Sequence, residues 1–391
     1  MNIADSQEEI SADQEYELWK SNVPLMYEFV SETKLLWPSL TIQWLPDGGA
    51  EDNKQNMLVG THTSHEEENY VKIASIDLPS EVLGKSAEIE DHPVQSKIRI
   101  TKKFPHEEEV TRARYCPQKP EIIATINGQG KVFVYDRSLA KEAGLKLSLS
   151  FHQENGYGLD FNPNVTEELL SCSDDSTIAI WDVNQNDASA PVTAIRAHTD
   201  IVNDCKWHYF DSNILGSVSE DKALIFHDKR SDLPIFKLLQ NEPFNTLAFS
   251  KHSNFLFAAA GIDSSVYLYD RRNPEVPLHA MDGHQDAVSS LEFSPHKDGI
   301  VCSSGADRRV IFWDIKQIGV EQAPDDAADG APELLMIHAG HKSGVNEFSF
   351  NPNVPWLMAS AEENNIVHVW KPCKRLTDPD ARPDYDIHSL E

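Results

Sequence analysis

The sequence has no apolar run that approaches the length of a membrane span, and its first ten residues are acidic and polar. Because a transmembrane helix needs about 20 consecutive apolar residues, none is predicted. The acidic start also lacks the form of a signal or transit peptide. The five cysteines are odd in number and scattered, so the sequence predicts no disulfide framework and a reducing compartment.

Basic residues are scarce. The 34 lysines and arginines stand against 63 aspartates and glutamates, which gives a formal net charge of -29. So acidic a surface repels phosphate backbones, which argues against direct nucleic-acid binding. It favours a basic partner instead, and histones are an obvious class of basic protein.

Sequence patterns of catalysis and metal binding are also missing. There is no paired-cysteine spacing, no His-Glu-x-x-His pattern and no Gly-x-Ser-x-Gly motif. Gly128 and Gly130 lie in a turn between two strand patterns, without the following helix that a phosphate-binding loop requires. We therefore expect no enzyme activity, no metal and no cofactor.

Six copies of one pattern occupy most of the chain. Each copy starts near a histidine or its equivalent, continues through a short apolar run and a turn, and ends in an aromatic or apolar strand. The closing aspartates are 46, 46, 42 and 44 residues apart, which is typical of the four-stranded blades of a WD40 propeller. The copies start at His106, His152, His198, Asn241, His284 and His341, and they end at Asp136, Asp182, Asp228, Asp270, Asp314 and Trp370.

Residues 33–78 alternate as further strands, and 97–101 fits a fourth, so they indicate a degenerate seventh blade. The predicted fold is all-β, a seven-bladed WD40 β-propeller with an N-terminal α-helix packed on its side. A ring must hide its open edge, and we expect residues near Leu35 to Trp37 to pair with the last blade. The predicted divisions are a disordered segment 1–10, the helix 11–32, the propeller 33–372 with an acidic insertion loop 316–337, and a loosely ordered tail 373–391.

An apolar stripe marks the predicted helix. Ser11 and Gln14 fit a capping box, and Pro24 should kink or restart the helix. The stripe has two interpretations: it packs on the side of the ring, or it also forms one wall of a binding groove. Its members, at helical spacing, are Leu18, Trp19, Leu25, Met26, Phe29 and Val30.

The acidic insertion loop would form the opposite wall. Asp314 and His341 are 27 residues apart, whereas Asp182 and His198 are 16 apart. The segment 321–333 contains five acids and no base. A long, charge-biased loop inside a compact repeat is more often functional than accidental. An acidic wall beside an apolar one would fit a basic amphipathic helix.

The recurring histidines and turn acids suggest catalysis, but recurrence favours structure, since an active site occurs once. Buried polar groups in a blade need hydrogen-bond partners. We expect His152, His198, His284 and His341 to pair by position with Asp175, Asp221, Asp263 and Asp307. Two glutamate triplets, 66–68 and 107–109, are either solvated loops or parts of one acidic rim.

Eight motifs resemble the histone-binding WD-repeat family of retinoblastoma-binding proteins, and the resemblance covers residues 13–372. Within that family, Trp19–Pro24, Ile126–Gly130 and Pro243–Phe249 most resemble the fungal members that belong to type B histone acetyltransferases. The eight motifs are Leu18–Pro24, Trp37–Leu40, Gly60–Ser64, Thr111–Tyr115, Asp307–Arg309, Trp313–Asp314, Gly340–His341 and Pro324–Leu335.

The resemblance implies a groove between helix and loop that holds the first helix of histone H4. It places Asp325, Asp326, Asp329 and Gly330 on the loop side, Met336 and Ile337 at the base, and Leu25, Met26 and Phe29 on the helix side. It also implies a second site for histone H3 tails on the face over the central channel. The matching residues of that face are Glu109, Arg112, Tyr157 and Glu363, whereas Asn155, Asn203, Ala287 and Ser289 depart from other members and leave that site in question.

The resemblance implies a noncatalytic histone-binding subunit, or chaperone, of cytoplasm and nucleus. It would hold H3–H4 while a catalytic partner acetylates new histone H4. Two alternatives stay open: a histone-binding subunit of a chromatin assembly or deacetylase complex, and a propeller adaptor of a ubiquitin ligase.

Overall fold

The structure, a computed structural model, describes residues 11–84, 96–141, 143–185, 190–324, 327 and 330–378. The segment 1–10 and most of the predicted tail 373–391 lie outside the described residues. Two α-helices are described, α1 (Ala12–Met26) and α2 (Lys374–Thr377), with 3-10 turns at Ser80–Leu83 and Ile315–Gln317. Among the described residues, no helix is long and apolar enough to cross a lipid bilayer.

Seven four-stranded antiparallel sheets form the blades, so the predicted all-β seven-bladed fold is confirmed. Blade 1 contains β2 (Ile42–Trp44), β3 (Lys54–Val59), β4 (Asn69–Asp77) and β5 (Arg99–His106). Blade 2 contains β6 (Val110–Cys116), β7 (Lys119–Asn127), β8 (Val132–Asp136) and β9 (Leu145–Leu149). Blade 3 contains β10 (Gly156–Phe161), β11 (Glu168–Ser173), β12 (Ile178–Asp182) and β13 (Thr193–Ile195).

The remaining blades follow the same order from the inner to the outer strand. Blade 4 contains β14 (Val202–Trp207), β15 (Ile214–Ser219), β16 (Ala223–Asp228) and β17 (Pro234–Leu239). Blade 5 contains β18 (Phe244–Phe249), β19 (Leu256–Gly261), β20 (Ser265–Asp270) and β21 (His279–Asp282). Blade 6 contains β22 (Val288–Phe293), β23 (Ile300–Gly305), β24 (Val310–Asp314) and β25 (Leu334–His338). Blade 7 contains β26 (Val345–Phe350), β27 (Met358–Glu362), β28 (Ile366–Pro372) and, as its outer strand, β1 (Tyr27–Lys34).

Strand β1 closes the ring. It pairs antiparallel with β28 from Tyr27 opposite Pro372 to Lys34 opposite Ile366. The closing segment therefore lies just before the predicted Leu35–Trp37, and of those residues Leu35 adds one backbone hydrogen bond to Asn365. Blade 7 thus takes three strands from the end of the chain and one from its beginning, which hides the edge that an open sheet would expose.

The predicted helix boundary at residue 32 is wrong. The helix α1 ends at Met26, two residues after Pro24, and Tyr27 has extended φ and ψ of -125° and 142°. The physical reason is that both faces of the next segment are needed between blades. Val30 packs on the apolar cluster of blades 6 and 7, whereas Phe29 packs on the cluster of blades 7 and 1. A strand presents neighbouring residues to opposite faces, and a helix would not.

Histidine networks stitch the strands of single blades, as expected. In blade 6, His284 contacts Asp307 through Nδ1 at 3.0 Å and Ser303 through Nε2 at 2.7 Å, and Trp313 Nε1 donates to the same Ser303 hydroxyl at 2.9 Å. Blade 7 repeats the arrangement with His341, Glu362, Ser360 and Trp370.

Two of the expected partners are wrong. His284 contacts Asp307, and His341 contacts Glu362. Asp263 accepts instead from the hydroxyl of Tyr267 at 2.7 Å. The reason is that each histidine pairs within its own blade, and blade 5 starts at Asn241 and has no histidine there to pair with Asp263.

Replacing Ser303 by Ala should lower the free energy of unfolding by about 1–3 kcal/mol, because it leaves buried donors or acceptors of His284 and Trp313 without a partner. Urea unfolding measures this change. The matched control is Ser138→Ala, which removes an exposed hydroxyl bonded to Asp136 and should change stability by less than about 0.5 kcal/mol. Equal effects of the two substitutions would contradict the structural role of the network.

Candidate functional site

The helix α1 packs across blades 6 and 7 through one buried side chain, Trp19. Its ring stacks on His368 at 5.7 Å and meets His338 edge-on at 5.4 Å between ring centroids. Gly340 is required beneath it, because a Cβ there would lie 2.6 Å from the Trp19 ring. The helix is therefore held at close range on the rim where the outer strands of blades 6 and 7 meet.

Beneath Trp19, hydrogen bonds run in one direction from the helix into blade 7. Trp19 Nε1 donates to the Tyr27 hydroxyl at 2.9 Å, and that hydroxyl lies 2.9 Å from His338 Nδ1. Because Tyr27 uses its oxygen as the acceptor, its hydrogen is donated to His338 Nδ1. His338 must then carry its proton on Nε2, which lies 3.1 Å from Nδ1 of His368.

The chain of bonds ends on a carboxylate. His368 turns its Nε2 towards Glu32 at 3.6 Å, and Tyr16 of the helix donates to the same carboxylate at 2.9 Å. Hydrogen bonding to His368, working against burial, lowers the pKa of Glu32 to about 2. The ionised Glu32 therefore fixes the proton positions of the whole series and ties α1 to β1.

Ion pairs hold the first turns of α1. Glu15 accepts from the guanidinium groups of Arg308 and Arg309 of blade 6, and Lys342 of blade 7 reaches Asp13 at 3.0 Å. The predicted capping box is also present, with Ser11 and Gln14 bonded reciprocally. Exposed pairs of this kind contribute little to stability, so their main effect is to orient the helix.

One side of α1 leaves large apolar side chains in solvent. Leu18 and Leu25 are 58% and 72% exposed. On a helix they lie three and ten residues after Glu15, which places them on broadly the same side, towards blade 6. Blade 6 is the blade whose outer strand β25 follows the acidic insertion. An apolar surface therefore lies between α1 and that insertion.

The base of this surface is shared by helix and blade. Met26 and Leu335 pack on the same apolar cluster, and Met336 is a buried member of it. Gly330, which has a φ of +140°, stands at the end of the insertion, before β25. The structure thus brings Leu25, Met26, Gly330 and Met336 to one side of the ring.

Two predicted groove residues lie elsewhere. Phe29 packs on the cluster of blades 7 and 1, and Ile337 packs on the cluster of blades 5 and 6. Both lie on strands, where side chains alternate between faces, so neither shares the face of Met26 or Met336. Asp325, Asp326 and Asp329 lie outside the described residues.

Sequence reasoning did not assign Leu18 and Leu335 to the groove. Leu18 belongs to the apolar stripe of the helix, and its position beside Trp19 is the signal that could have identified it. Leu335 stands where the register of β24 and β25 shifts, between the pairs Phe312–Met336 and Trp313–Leu334. Such a bulge re-aims one side chain, and the sequence carries no clear mark of it.

The face over the central channel contains the second predicted set. Glu109 precedes an inner strand, Tyr157 begins another, and Glu363 follows the second strand of blade 7, so antiparallel order places all three at the same end of the ring. Tyr157 is partly exposed. Gly128 is needed beside Glu109, because a Cβ there would lie 2.1 Å from its carboxylate oxygen.

Arg112 is committed to the ring rather than free at the surface. Its Nε donates to the carbonyl of Tyr157 at 2.9 Å, and its guanidinium contacts the buried Glu347. Burial would raise the pKa of Glu347, but Arg114 and Arg112 hold it at about 2. Arg112 therefore anchors Tyr157 through the backbone and joins blades 2, 3 and 7.

The departures on this face serve the ring itself. Asn203 donates to Glu220 at 2.8 Å and to the carbonyl of Phe244 at 3.0 Å. Ser289 donates to the carbonyl of Val345 at 2.6 Å, and the carbonyl of Ala287 accepts from Ala306. Burial raises the pKa of Tyr157 and that of Asp174, and hydrogen bonds with Asn155 oppose both shifts.

The two glutamate triplets meet at the junction of blades 1 and 2. His65 lies 2.9 Å from Glu108, and a pocket of about 520 Å³ is lined by Glu67, Glu68 and Glu107 among others. The acidic-rim interpretation of these triplets is thus the one that the structure favours.

Two clusters have ligand atoms close enough to consider a metal, within 4.8 Å of one another: His338, His341 and His368, and His65, Glu108 and Glu109. In the first, ring nitrogens are already engaged in hydrogen bonds within the blade, which explains the cluster as a structural network.

Comparisons with known proteins agree on one family. A family model for histone binding, described by the histone-binding protein RBBP4 and a component of the CAF1 complex, matches residues 14–80. The model for the WD domain, G-beta repeat, matches 145–182, 189–228, 235–270, 275–314 and 332–371.

Full-length relatives bear a single name, "Histone acetyltransferase type B subunit 2". The protein of Candida glabrata is 52% identical over 99% of this chain and 94% of its own length. That of Kluyveromyces lactis is 54% identical over 100% of this chain and 99% of its own. That of Eremothecium gossypii is 56% identical over 94% and 87%.

Acid should weaken the site before it reaches the carboxylates. Burial, and next the neighbouring histidines, lower the pKa of His338 well below its usual value and that of His341 to about 4. The unfolded chain has the ordinary value of about 6.5. Between about pH 6.5 and 4 the unfolded state therefore binds more protons, and the free energy of unfolding should fall as pH falls, by about 1.4 kcal/mol per pH unit for each proton.

Urea unfolding at steps from pH 7.5 to 4.5 measures this slope. His338→Gln should have a shallower slope than the unmodified chain, because it removes one of these groups. His65→Gln, at an exposed position, should keep the full slope. A free energy of unfolding that stays constant between pH 6.5 and 4.5 would contradict the assignment.

Proposed function

The chain belongs to the family of histone-binding WD-repeat proteins that includes the type B histone acetyltransferase subunit 2, and we propose from this membership that it is the noncatalytic histone-binding subunit of a type B histone acetyltransferase. The observation that carries the proposal is the exposed apolar side of α1, next to the base formed by Met26 and Met336. A propeller that needed α1 only for packing would bury those leucines.

We propose that this surface holds the first helix of histone H4. A basic amphipathic helix would place its apolar side on Leu18, Leu25 and Met26. Its arginines and lysines would pair with Asp325, Asp326 and Asp329 of the acidic insertion, where paired charges give geometry as well as energy. Gly330 would let the backbone of the insertion approach the ligand closely, since it has no side chain.

The remaining parts of the proposal concern H3 and location. The acidic channel face with Glu109, Tyr157 and Glu363 is proposed to bind the basic tail of histone H3, while Arg112 positions Tyr157. The hydrogen bonds made by Asn203 and Ser289 within the ring support a face retuned towards rigidity. A net charge of -29 supports the absence of direct nucleic-acid binding. A protein that meets newly made histones and chromatin is proposed to act in cytoplasm and nucleus.

The mechanism is tethering. A subunit that holds H3–H4 beside a catalytic partner turns acetylation of the H4 tail into an effectively intramolecular event, which raises the local substrate concentration. This task requires a rigid groove and no reacting groups, which fits the structural use of the ring histidines.

A second candidate has one specific observation in its favour. The description of the matching family model also names the CAF1 complex, so the same groove is proposed to serve a chromatin assembly complex as well. Both roles use the same histone surface and differ in the partner that docks elsewhere.

Replacing both Leu18 and Leu25 by Ala should weaken binding of an H4 helix peptide by about 1–3 kcal/mol, the scale of one buried large side chain. Stability should change by less than about 0.5 kcal/mol, because both side chains are exposed and Ala favours the helix. Calorimetry and thermal unfolding of the double variant measure the two quantities.

Two controls accompany this variant. Leu36→Ala removes an equally exposed leucine, 77% exposed, away from α1 and should leave affinity unchanged. Phe29→Ala should lower stability and leave the affinity of the folded fraction unchanged, because Phe29 packs between blades 7 and 1. Unchanged peptide affinity in the double leucine variant would remove the groove from the proposal.

The pure chain should transfer no acetyl group to H3–H4, because no reactive cluster distinguishes one blade from the others in the described chain. Incubation with acetyl-coenzyme A and histones, read by mass spectrometry, tests this point, with addition of the catalytic subunit as the positive control. Acetylation of H4 by the chain alone would overturn the noncatalytic assignment.

A further inference from the structure

The outer strand of blade 4 is an unusually apolar edge. Leu233, Ile235 and Leu239 are 76%, 56% and 66% exposed. Among the described strands, β17 alone contains two exposed large hydrophobic side chains. Exposed apolar edges are normally avoided, because they invite pairing with another chain.

A neighbouring edge shows the usual protection. The outer strand of blade 1, β5, carries Arg99, Lys102 and Lys103 along its length. On β17, by contrast, Pro234 stands at the first position only, and residues 235–239 are regular. Phe236 and Leu238 pack inward on the cluster of blades 4 and 5, so Ile235, Lys237 and Leu239 share the other face.

The backbone of this strand has hydrogen-bonding groups turned outward. Gln240 N donates to Lys222 O at 2.9 Å, in the same register as the pair Leu239–Ala223. In an antiparallel ladder, bonded and non-bonded pairs alternate, so Gln240 and Leu238 bond inward. The N–H and C=O groups of Lys237 and Leu239 therefore point away from blade 4, where an added strand would find them.

The charge on the edge selects the partner. Residues 233–240 contain one cation, Lys237, and no acid, in a chain of net charge -29. Within the described part of the chain, no ion pair or hydrogen bond to the Lys237 side chain is present. The complementary segment is extended and apolar, with one acidic residue opposite Lys237.

We propose that β17 is the docking edge for the catalytic subunit of the acetyltransferase, which adds an extended apolar segment of this kind to blade 4 as a fifth strand. The inference rests on the proposed function. Blade 4 is two blades away from blade 6 and three from blade 7, so a segment on β17 leaves the surface beside α1 open. Histone and catalyst are then held at once on separate sides of one rigid ring.

The test uses the full chain with Ile235 and Leu239 both replaced by Thr, which keeps strand preference and removes apolar contact. The matched control replaces Leu145 and Val192, exposed aliphatic residues at the outer edges of blades 2 and 3, by Thr. Affinity for the purified catalytic subunit is measured by calorimetry. The Ile235/Leu239 variant should bind at least about tenfold more weakly, and the control should bind as the unmodified chain does.

A second variant, Lys237→Glu, tests the charge and should also weaken binding, by repulsion of the partner's acid. The H4 peptide affinity of both variants should be unchanged, which shows that they are folded. Equal affinity of the catalytic subunit for all forms would overturn the docking edge. So would a self-association of the unmodified chain, seen by sedimentation, that the Thr variant abolishes, because the occupant is then a second copy. Failure of the unmodified chain to bind the catalytic subunit would count against the proposed function itself.

Discussion

The pairing of β1 with β28 is the constraint on which the rest of the structure depends. It closes the ring, and it also fixes the point at which the chain leaves the helix. Because β1 begins at the residue that follows the end of α1, the helix has little freedom once that strand is in register. Trp19, Gly340 and the bonds beneath them then choose its orientation, so the apolar side of α1 is displayed as a consequence of closure.

The polar interior of blade 7 is the price of that arrangement. Three histidines and Glu32 lie at the one place where helix, closing strand and two blades meet. Each group is stable there because its neighbour accepts or donates in the required direction, from Trp19 through Tyr27 and His338 to His368. A series of this kind gives orientation that an apolar contact cannot, since every member has only one tautomer that satisfies the next. The groove inherits its precision from these bonds.

The repeat period determined the architecture, because each blade repeats the same strand pattern and buries it against a neighbour. The limits of prediction lay where one residue could satisfy two periods. Phe29 and Val30 continue the helical stripe in sequence, yet they face opposite clusters on a strand. Met26 and Met336 were expected at the groove and share one cluster, whereas Ile337 was lost to the alternation of β25. The bulge at Leu335 and the partner exchange of Asp263 depend on register and blade membership, which a single sequence does not display.

Closure by the first strand also has a consequence for the order of assembly. Residues 27–34 are synthesised early, but their partners at 366–372 emerge only when almost the whole chain has been made. Contacts so distant along the chain form slowly and expose unpaired strands in the meantime. The nascent polypeptide therefore has a helix but no rim to hold it, and the surface beside α1 comes into existence only with the last blade. A protein that receives aggregation-prone basic clients is thus unable to engage them until its own synthesis is complete.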